Sequence, residues 1–375
     1  MDSEKKMELI TRNAEEVMTR DDLKSMIEQG VPLKHYIGFE ISGKIHIGTG
    51  IATMLKVKDF QKAGVKCTIF LADWHSWIND KLGGDLETIG KIAGGYFREG
   101  MKASLECVGG SKEIDFVLGS ELYHNNDEYW QTVIDISKNI TLARTMRSIT
   151  IMGRKEGEAV DFAKLIYPPM QAADIFVQGI NIAHAGTDQR SAHVIAREAA
   201  ERLKYKALRH KGKKYKPVAV HTHLLLGLHR PAVWPLTKEK AQELLSTIKM
   251  SKSMPSSAIF IHDSEEEIMK KIMSAFCPEK ITEYNPIIDW ANHIILSSEK
   301  PELKIERPEK YGGDATIYSY AELEREYTEG RIHPLDIKKA VADYLIKLLE
   351  PARKHFQKGK AANMLEELNA LKITR

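Results

Sequence analysis

Cysteine is scarce in this sequence, which contains only Cys67, Cys107 and Cys277 in 375 residues. The three are odd in number, far apart and never in a C-x-x-C pair, so neither a disulfide framework nor a cysteine-based zinc site is expected. The N-terminus has no apolar core of the kind that secretory signals contain, and its acidic residues are unlike a transit peptide. A reducing, cytoplasmic location is therefore predicted.

Long hydrophobic runs are absent as well. The longest stretches without Asp, Glu, Lys or Arg are residues 175–187 and 217–229, whereas a membrane helix needs roughly 20 mostly apolar residues. Charge is balanced at 55 Lys+Arg against 52 Asp+Glu, so the net charge of +3 does not indicate a nucleic-acid partner. A hydrophobic content of 43% is typical of globular proteins, and the length predicts two or three domains of about 150 residues each.

Short apolar runs alternate with segments of helical spacing over the first two thirds of the chain. The predicted strands are residues 35–39, 67–73, 114–120, 180–186 and 217–227. The predicted helices between them are residues 51–63, 86–105, 128–151 and 189–203. Because the strands are apolar along their whole length, the pattern predicts a doubly wound α/β domain, a parallel sheet covered by helices on both faces.

Helices dominate the rest of the chain, and the longest is predicted over residues 334–356. A charged, proline-containing stretch at 297–313 reads as a linker. The sequence thus predicts a catalytic α/β domain over residues 1–262 and a mostly helical domain over residues 263–375.

A glycine-rich segment, GKIHIGTG at residues 43–50, directly follows the first predicted strand. Glycines at a strand-to-helix turn let a ligand approach the backbone. The helix that begins near Gly48 then directs N–H groups and its positive dipole end toward that ligand. His46 can donate a hydrogen bond to a phosphate oxygen. Taken alone, however, the segment is better interpreted as a tight turn with a surface histidine.

A second segment, KMSKS at residues 249–253, lies far downstream of the first. Two lysines among small or flexible residues suit a mobile loop that wraps a polyphosphate, although a solvated charged loop is an equally good interpretation of the pentapeptide alone. Both segments together, in this order around an α/β domain, are far less expected by chance.

The two segments resemble the HIGH and KMSKS signatures of class I aminoacyl-tRNA synthetases. Five more segments, collinear over nearly the whole chain, resemble tyrosyl-tRNA synthetases of the archaeal and eukaryotic type. They are YIGFEISGKIHIG at 36–48, YPPMQAAD at 167–174, GTDQR at 186–190, RPEKYGGD at 307–314 and HPLDIKKAVADYLIKLLEP at 333–351. The resemblance implies that the predicted α/β domain is Rossmann-like and leads to the KMSKS loop, and that the C-terminal helical domain binds the anticodon.

One helical face combines a phenol, an amide and a carboxylate. Tyr167, Gln171 and Asp174 are spaced four and three residues apart, which places them on the same face of a helix. Because the flanking residues are apolar, the face is expected to be more than a solvated surface. A polar network between helices is the alternative.

By resemblance to the family, Asp174 and Tyr36 hold the phenolic hydroxyl of L-tyrosine. The residues implied for its α-ammonium group and for the pocket wall are Tyr167, Gln171, Gln189 and His75. A buried acceptor that phenylalanine leaves unpaired costs its desolvation free energy, and this cost provides discrimination. A Tyr–Asp pair matches a hydroxyl better than an indole N–H, which favours tyrosine over tryptophan, and tryptophanyl specificity is the nearest alternative.

The resemblance also implies the reaction. The tyrosine carboxylate attacks the α-phosphate of ATP and releases pyrophosphate, and the tyrosyl group is then transferred to the 3′ end of tRNA(Tyr). The residues implied at the nucleotide are His46, Thr49, Lys249 and Lys252 as catalytic groups and Gly48, Gly186 and Asp188 as ATP-binding groups. Mg²⁺ is expected to accompany ATP on its phosphates, no protein-held metal is expected, and a homodimer is implied.

One position departs from the signature, because Thr49 stands where the family has a second histidine. A hydroxyl can donate one hydrogen bond but carries no charge. A non-catalytic RNA-binding paralogue is therefore a second hypothesis. A small nucleotidyltransferase that shares the H-x-G-H helix is another, although it leaves the KMSKS segment without a role.

Residues 202–216, RLKYKALRHKGKKYK, contain eight Lys or Arg and no acidic residue. Such a run can bind phosphates without sequence preference, or it can be a solvated loop, and both interpretations stay open. The family positions implied for tRNA are Arg147 and Arg190 at the acceptor stem and Tyr311, His333 and Asp336 at the first anticodon base. Aromatic rings can stack on an unpaired base there while a carboxylate accepts from its edge.

Two histidines form a further candidate cluster. His221 and His223 share one face of a predicted strand and could bind a metal ion. Two ligands without a cysteine partner are weak evidence for such a site.

Overall fold

Six strands form one central sheet in the order β1-β8-β5-β2-β3-β4. This computed structural model describes residues 1–149, 161–237, 240 and 244–371. The six strands are β1 Ala14–Met18, β2 Lys34–Phe39, β3 Lys66–Leu71, β4 Asp115–Leu118, β5 Ile182–Gly186 and β8 Val218–Thr222. Each of the five predicted strands overlaps one of them, and these five strands pair in parallel. The prediction of a doubly wound α/β fold is confirmed.

The chain order reverses at the centre of the sheet. β2 pairs with β3 on one side and with β5 on the other. In open α/β sheets, ligands bind in the crevice outside the carboxyl ends of strands at such a switch point. The segments that follow β2 and β5, which contain His46 and Asp188 respectively, therefore meet at this crevice.

The sequence did not predict β1. It pairs antiparallel with β8 and covers that edge of the sheet, with a register shift between Ala14 and Glu16. The strand has only five residues, and two adjacent ones are glutamates. It therefore shows neither the continuous apolar run nor the alternation of apolar and polar residues that predicts a strand.

Helices surround the sheet and form most of the C-terminal part. In the N-terminal part they are Ser3–Thr11, Arg20–Glu28, Thr53–Lys62, Asp73–Ile78, Leu86–Ile92, Arg98–Cys107, Gly119–Tyr123, Asp127–Lys138, Leu142–Ser148, Phe162–Val177 and Arg190–Ala200. Further along they are Leu245–Ile248, Glu265–Met273, Pro286–Trp290, Tyr320–Thr328, Pro334–Leu348, Glu350–Phe356 and Gly359–Ala370. Among the described residues, no helix combines the length and the apolar character that a bilayer span requires.

Three predicted helices are divided in the structure. The helix predicted over 86–105 is interrupted at Ala93–Phe97, where Gly95 leaves helical geometry. The one predicted over 128–151 ends at Lys138 and resumes at Leu142, and its last two residues lie outside the described residues. The one predicted over 334–356 breaks at Leu349, because Pro351 has no N–H to continue the hydrogen-bond ladder.

Two short hairpins complete the fold. β6 (Arg209–His210) pairs with β7 (Lys213–Lys214), and β9 (Leu303–Ile305) pairs with β10 (Ala315–Ile317). One apolar core extends from the sheet into the C-terminal part, since buried Ile45 and Ile261 belong to the same cluster as Leu345. The division into domains at residues 262 and 263 stays a prediction.

Candidate active site

The helix Phe162–Val177 positions the polar face predicted from the sequence. It begins at Asp161, whose side chain accepts from the backbone N–H of Lys164. Tyr167, Gln171 and Asp174 all lie on this helix, and both Tyr167 and Asp174 are buried. The two interior prolines do not end the helix. The face is therefore enclosed by protein rather than solvated.

The carboxylate of Asp174 lies at the centre of a buried phenol cluster. It accepts hydrogen bonds from the hydroxyls of Tyr123 at 3.0 Å and Tyr129 at 3.1 Å. His75 Nε2 is 3.8 Å from its other oxygen. Burial raises the pKa of Asp174 well above its ordinary value, against the effect of the two phenol hydrogen bonds. Burial and then Asp174 raise the pKa of Tyr36.

Two buried polar atoms in this region are unsatisfied. His75 Nε2 and Gln171 Oε1 have no hydrogen-bond partner among the described residues. Gln171 uses its amide nitrogen to donate to Gln189 Oε1 at 3.3 Å. Burial lowers the pKa of His75 to about 3, so its imidazole is neutral at physiological pH. Because buried polar groups are nearly always paired, these atoms indicate a place for a polar ligand.

A carboxylate that the sequence analysis missed lies beside the helix. Glu40, the residue after β2, accepts from the Tyr167 hydroxyl at 2.9 Å and from Asn79 Nδ2 at 3.0 Å. Lys81 Nζ is 3.5 Å from its second oxygen. Its position at the carboxyl end of a central strand is the sequence feature that could have identified Glu40 as a site residue.

The glycine-rich segment forms the start of a helix, as predicted. A wide turn at Gly48–Ala52 continues into the helix Thr53–Lys62. The Thr49 hydroxyl lies 3.1 Å from His46 Nε2. A Cβ at Gly48 would come within 3.1 Å of the His46 ring, so the glycine permits this close approach. Burial, followed by Lys252 and Lys249, lowers the pKa of His46 to about 3.

The two KMSKS lysines face the segments after β2 and β5. Lys249 Nζ is 2.7 Å from Asp188 Oδ2, and Lys252 Nζ donates to Ser42 Oγ. A Cβ at Gly186 would lie 2.5 Å from Leu224 Cδ2, so a larger residue there would require the Leu224 side chain to move. Burial and then Lys81 lower the pKa of Lys252 to about 8, and Glu40 opposes the shift. The structure thus brings these cations to the crevice that contains His46.

The two arginines implied for the tRNA acceptor stem are exposed. Arg190 forms an ion pair with Glu16 of β1, in which Arg190 Nε lies 3.0 Å from Glu16 Oε1 and 2.9 Å from Glu16 Oε2. Arg147 is exposed near the end of the helix Leu142–Ser148.

The C-terminal candidates lie on a turn and on a helix start. Tyr311 is 64% exposed, with Lys310 over its ring at 4.8 Å. His333 caps the helix Pro334–Leu348 by accepting from the backbone N–H of Leu335, and Asp336 is in its first turn. Arg307 joins the two segments, because it donates to the carbonyl oxygens of Gly313 and Arg331.

The basic segment 202–216 is partly neutralised. Lys206 pairs with Glu128 at 2.5 Å, and Lys216 pairs with Glu201 at 2.8 Å. Its centre is the β6–β7 hairpin. These ion pairs favour a structural role for part of the segment and leave its hairpin basic.

A family model described as "tRNA synthetases class I (W and Y)" matches residues 28–350. The chain therefore belongs to the class I tRNA synthetases, in the group of tryptophan and tyrosine enzymes. The glycine-rich segment after β2 and the lysine segment that faces it are the features on which the sequence resemblance to this class rests.

Within that family, the similar curated proteins are tyrosine–tRNA ligases. The one from Thermococcus sibiricus is 60% identical over 378 residues, and the one from Pyrococcus abyssi is 58% identical, each match covering both chains completely. The solved tyrosyl-tRNA synthetase from Pyrococcus horikoshii, complexed with L-tyrosine, has a TM-score of 0.95 and 56% identity, and the match covers 99% of this chain and 100% of that chain. The predicted family, fold class and ATP-dependent tyrosine–tRNA ligase activity are confirmed.

Proposed function

We propose that this chain activates L-tyrosine with ATP and transfers the tyrosyl group to tRNA(Tyr) at the crevice outside β2 and β5. A tyrosine carboxylate oxygen attacks the α-phosphorus, and the bond from that phosphorus to the bridging oxygen breaks to release pyrophosphate. A ribose hydroxyl of the tRNA 3′ end then attacks the tyrosyl carbonyl carbon, and AMP leaves. The observation that supports tyrosine as the substrate is the buried carboxylate of Asp174 among phenols.

Asp174 and Tyr36 receive the substrate hydroxyl. Tyr123 and Tyr129 donate to one Asp174 oxygen, so the other oxygen is the acceptor for the substrate. Phenylalanine would leave that oxygen buried without a donor, at a cost of roughly 1–3 kcal/mol or more for a charged group. The α-ammonium group is bound by Tyr167, Gln171 and Gln189, and His75 lines the pocket. The unsatisfied Gln171 Oε1 is an acceptor suited to an ammonium donor.

The nucleotide is held at the other end of the crevice. His46 is neutral and donates a hydrogen bond to a phosphate, while the positive charge comes from Lys249 and Lys252. This division lessens the consequence of Thr49, because the signature position need not supply charge. The residues assigned to ATP also include Gly48, Gly186 and Asp188.

Mg²⁺ enters with ATP as part of the substrate. Among the described residues, the one group of three metal-ligating side chains with converging atoms is outside this crevice. The residues of the site therefore fit a cation that is held by phosphate oxygens, as Mg²⁺ commonly is. It neutralises charge on the phosphates while the lysines orient them.

The remaining assignments concern tRNA and assembly. Arg147 and Arg190 contact the acceptor stem, and Tyr311, His333 and Asp336 contact the first anticodon base through the C-terminal domain, residues 263–375. The exposed ring of Tyr311 supports stacking on an unpaired base. We include a homodimer and a cytoplasmic location in the proposal.

The test is ATP–pyrophosphate exchange with tyrosine, tryptophan and phenylalanine in parallel, for the wild type and for Asp174→Ala. Exchange with tyrosine alone, lost or relaxed in specificity in the variant, supports the proposal. Exchange with tryptophan would overturn the assignment of the pocket. Folded protein that binds tRNA without any exchange would instead identify an RNA-binding paralogue.

A further inference from the structure

Two histidines and an aspartate converge outside the active site. His223 lies one residue beyond β8, whereas Asp289 and His293 are on the continuous helical segment formed by Pro286–Trp290 and Ala291–Leu296. Their ligand atoms all lie within 4.8 Å of one another. Asp289 and His293 are four residues apart and therefore project from the same helical face.

The distances bracket the ligand–ligand separation of a tetrahedral zinc site. His223 Nε2 is 2.7 Å and His293 Nε2 is 3.9 Å from the same oxygen of Asp289. Ligand atoms about 2.0–2.1 Å from a tetrahedral zinc ion are roughly 3.3 Å apart, which lies between the two observed values. The two imidazoles are nearly parallel at 12°, with centroids 4.0 Å apart, so binding requires them to tilt toward each other.

The outer hydrogen bonds orient both rings for a ligand at Nε2. His223 Nδ1 is 3.0 Å from Glu15 Oε2, and His293 Nδ1 is 2.9 Å from Asn13 Oδ1. The Asn13 amide nitrogen donates to His293 O and Ser297 Oγ, which fixes the direction of its oxygen. Metal-ligating histidines characteristically donate their second ring nitrogen to such an acceptor. The other Asp289 oxygen is held by the backbone N–H of Leu226 at 3.0 Å.

We propose that His223, Asp289 and His293 bind a divalent transition-metal ion, with Zn²⁺ as the best match to two imidazoles and one carboxylate. The ion replaces the proton shared between His223 and Asp289, which passes to solvent. With both imidazoles neutral, the two positive charges of the ion balance the negative charges of the Asp289 and Glu15 carboxylates. The side chains of His223 and His293 are 25% and 21% exposed, so the site is open to solvent and to a water molecule as fourth ligand.

The site would connect two parts of the chain. His223 follows β8 and its partner Glu15 lies in the edge strand β1, whereas Asp289 and His293 belong to the helical C-terminal part. The sequence pattern pointed to a different pair, His221 with His223. In the structure His221 is buried between His193 at 2.9 Å and Glu16 at 2.8 Å, and is not one of the three ligands.

The test uses the full chain, stripped with a chelator and titrated with ZnCl₂ against a chromophoric competitor. We expect one zinc ion per chain, with affinity reduced about 100-fold or more in His223→Ala and His293→Gln, and about tenfold in Glu15→Gln. His355→Ala is the matched control, because His355 pairs with Glu99 at 3.1 Å and belongs to no group of three metal-ligating side chains among the described residues. It should bind zinc like the wild type.

Cobalt substitution gives a second readout. Co²⁺ in this site should produce visible absorption bands in the wild type and in His355→Ala, and these should be absent in His293→Gln. Circular dichroism checks that each variant is folded. If a variant of a ligand residue does not fold, Glu15→Gln still tests the proposal. No zinc binding by the wild type, or equal affinity in the wild type and folded His293→Gln, would overturn the proposal.

Discussion

The two ends of the candidate active site differ in how their polar groups are paired. At the hydroxyl end, Asp174 is fully buried and already accepts from two phenols. At the phosphate end, Lys249 is about 30% exposed and pairs with Asp188, itself assigned to ATP. The hydroxyl end is thus organised before the substrate arrives. At the phosphate end, the lysines are bound to protein groups, and the nucleotide must replace these groups as their partners.

This difference separates specificity from catalysis. A buried acceptor with fixed donors discriminates among amino acids because it cannot relax around a wrong one. Lys249, on its partly exposed partner Asp188, can move at little cost, since exposed ion pairs contribute only about 0–1 kcal/mol. Substitutions at the two ends should therefore change different kinetic constants.

The largest effect is expected at the phosphate end. Lys252→Ala should reduce the rate constant of tyrosyl-adenylate formation roughly 100- to 1,000-fold, the usual cost of losing one group that stabilises developing charge. The KM for tyrosine should change little. Single-turnover measurement of adenylate formation checks this, with exposed Lys304→Ala as control. An unchanged rate would remove Lys252 from the catalytic groups.

The same lysine predicts a pH dependence. Because the pKa of Lys252 is lowered to about 8, its ammonium form is present below that pH and is lost as pH rises through it. The kcat/KM for ATP, which reports ionisations of the free enzyme, should decline above about pH 8. Lys252→Arg keeps the charge and should extend the plateau upward. Identical profiles for both proteins would contradict this assignment.

A smaller effect is expected at the hydroxyl end. Asp174→Asn should lower kcat/KM for tyrosine roughly 100-fold, because a hydrogen bond to a charged group is worth about 1.5–3 kcal/mol. Exchange with phenylalanine should fall much less, so discrimination narrows. Pyrophosphate exchange with both amino acids measures the ratio.

Tyr123→Phe sharpens this prediction. It removes one donor to Asp174 and leaves the carboxylate, so a loss of about tenfold or less is expected. Equal losses for tyrosine and phenylalanine in either variant would show that Asp174 does not discriminate between them.

The smallest effect is expected at Thr49. Thr49→Val removes the hydroxyl that lies 3.1 Å from His46, and a neutral hydrogen bond is worth about 1 kcal/mol, or roughly fivefold in kcat. Thr49→Ser retains the hydroxyl and should keep the wild-type rate. If valine and serine variants are equally active, the hydroxyl has no part in the reaction.

Local patterns predicted the parallel strands, the helix with Tyr167, Gln171 and Asp174, and the two signature segments. They did not find Tyr123 and Tyr129, which contact Asp174 from 51 and 45 residues away. No periodicity along the chain encodes a contact that forms only when two helices pack. The helix breaks at Gly95 and Leu349 were not predicted, because the helical spacing of apolar residues continues on both sides of each break.

Strand β1 places two adjacent carboxylates on different partners. Glu15 reaches His223, whereas Glu16 reaches His221 and Arg190. The register shift lies between Ala14 and Glu16, which makes Glu15 the extra residue of a bulge. Side chains alternate between the two faces of a sheet. Inserting or deleting one residue here would therefore turn the glutamates away from their present histidine partners. This five-residue strand is thus a place where length, more than composition, is constrained.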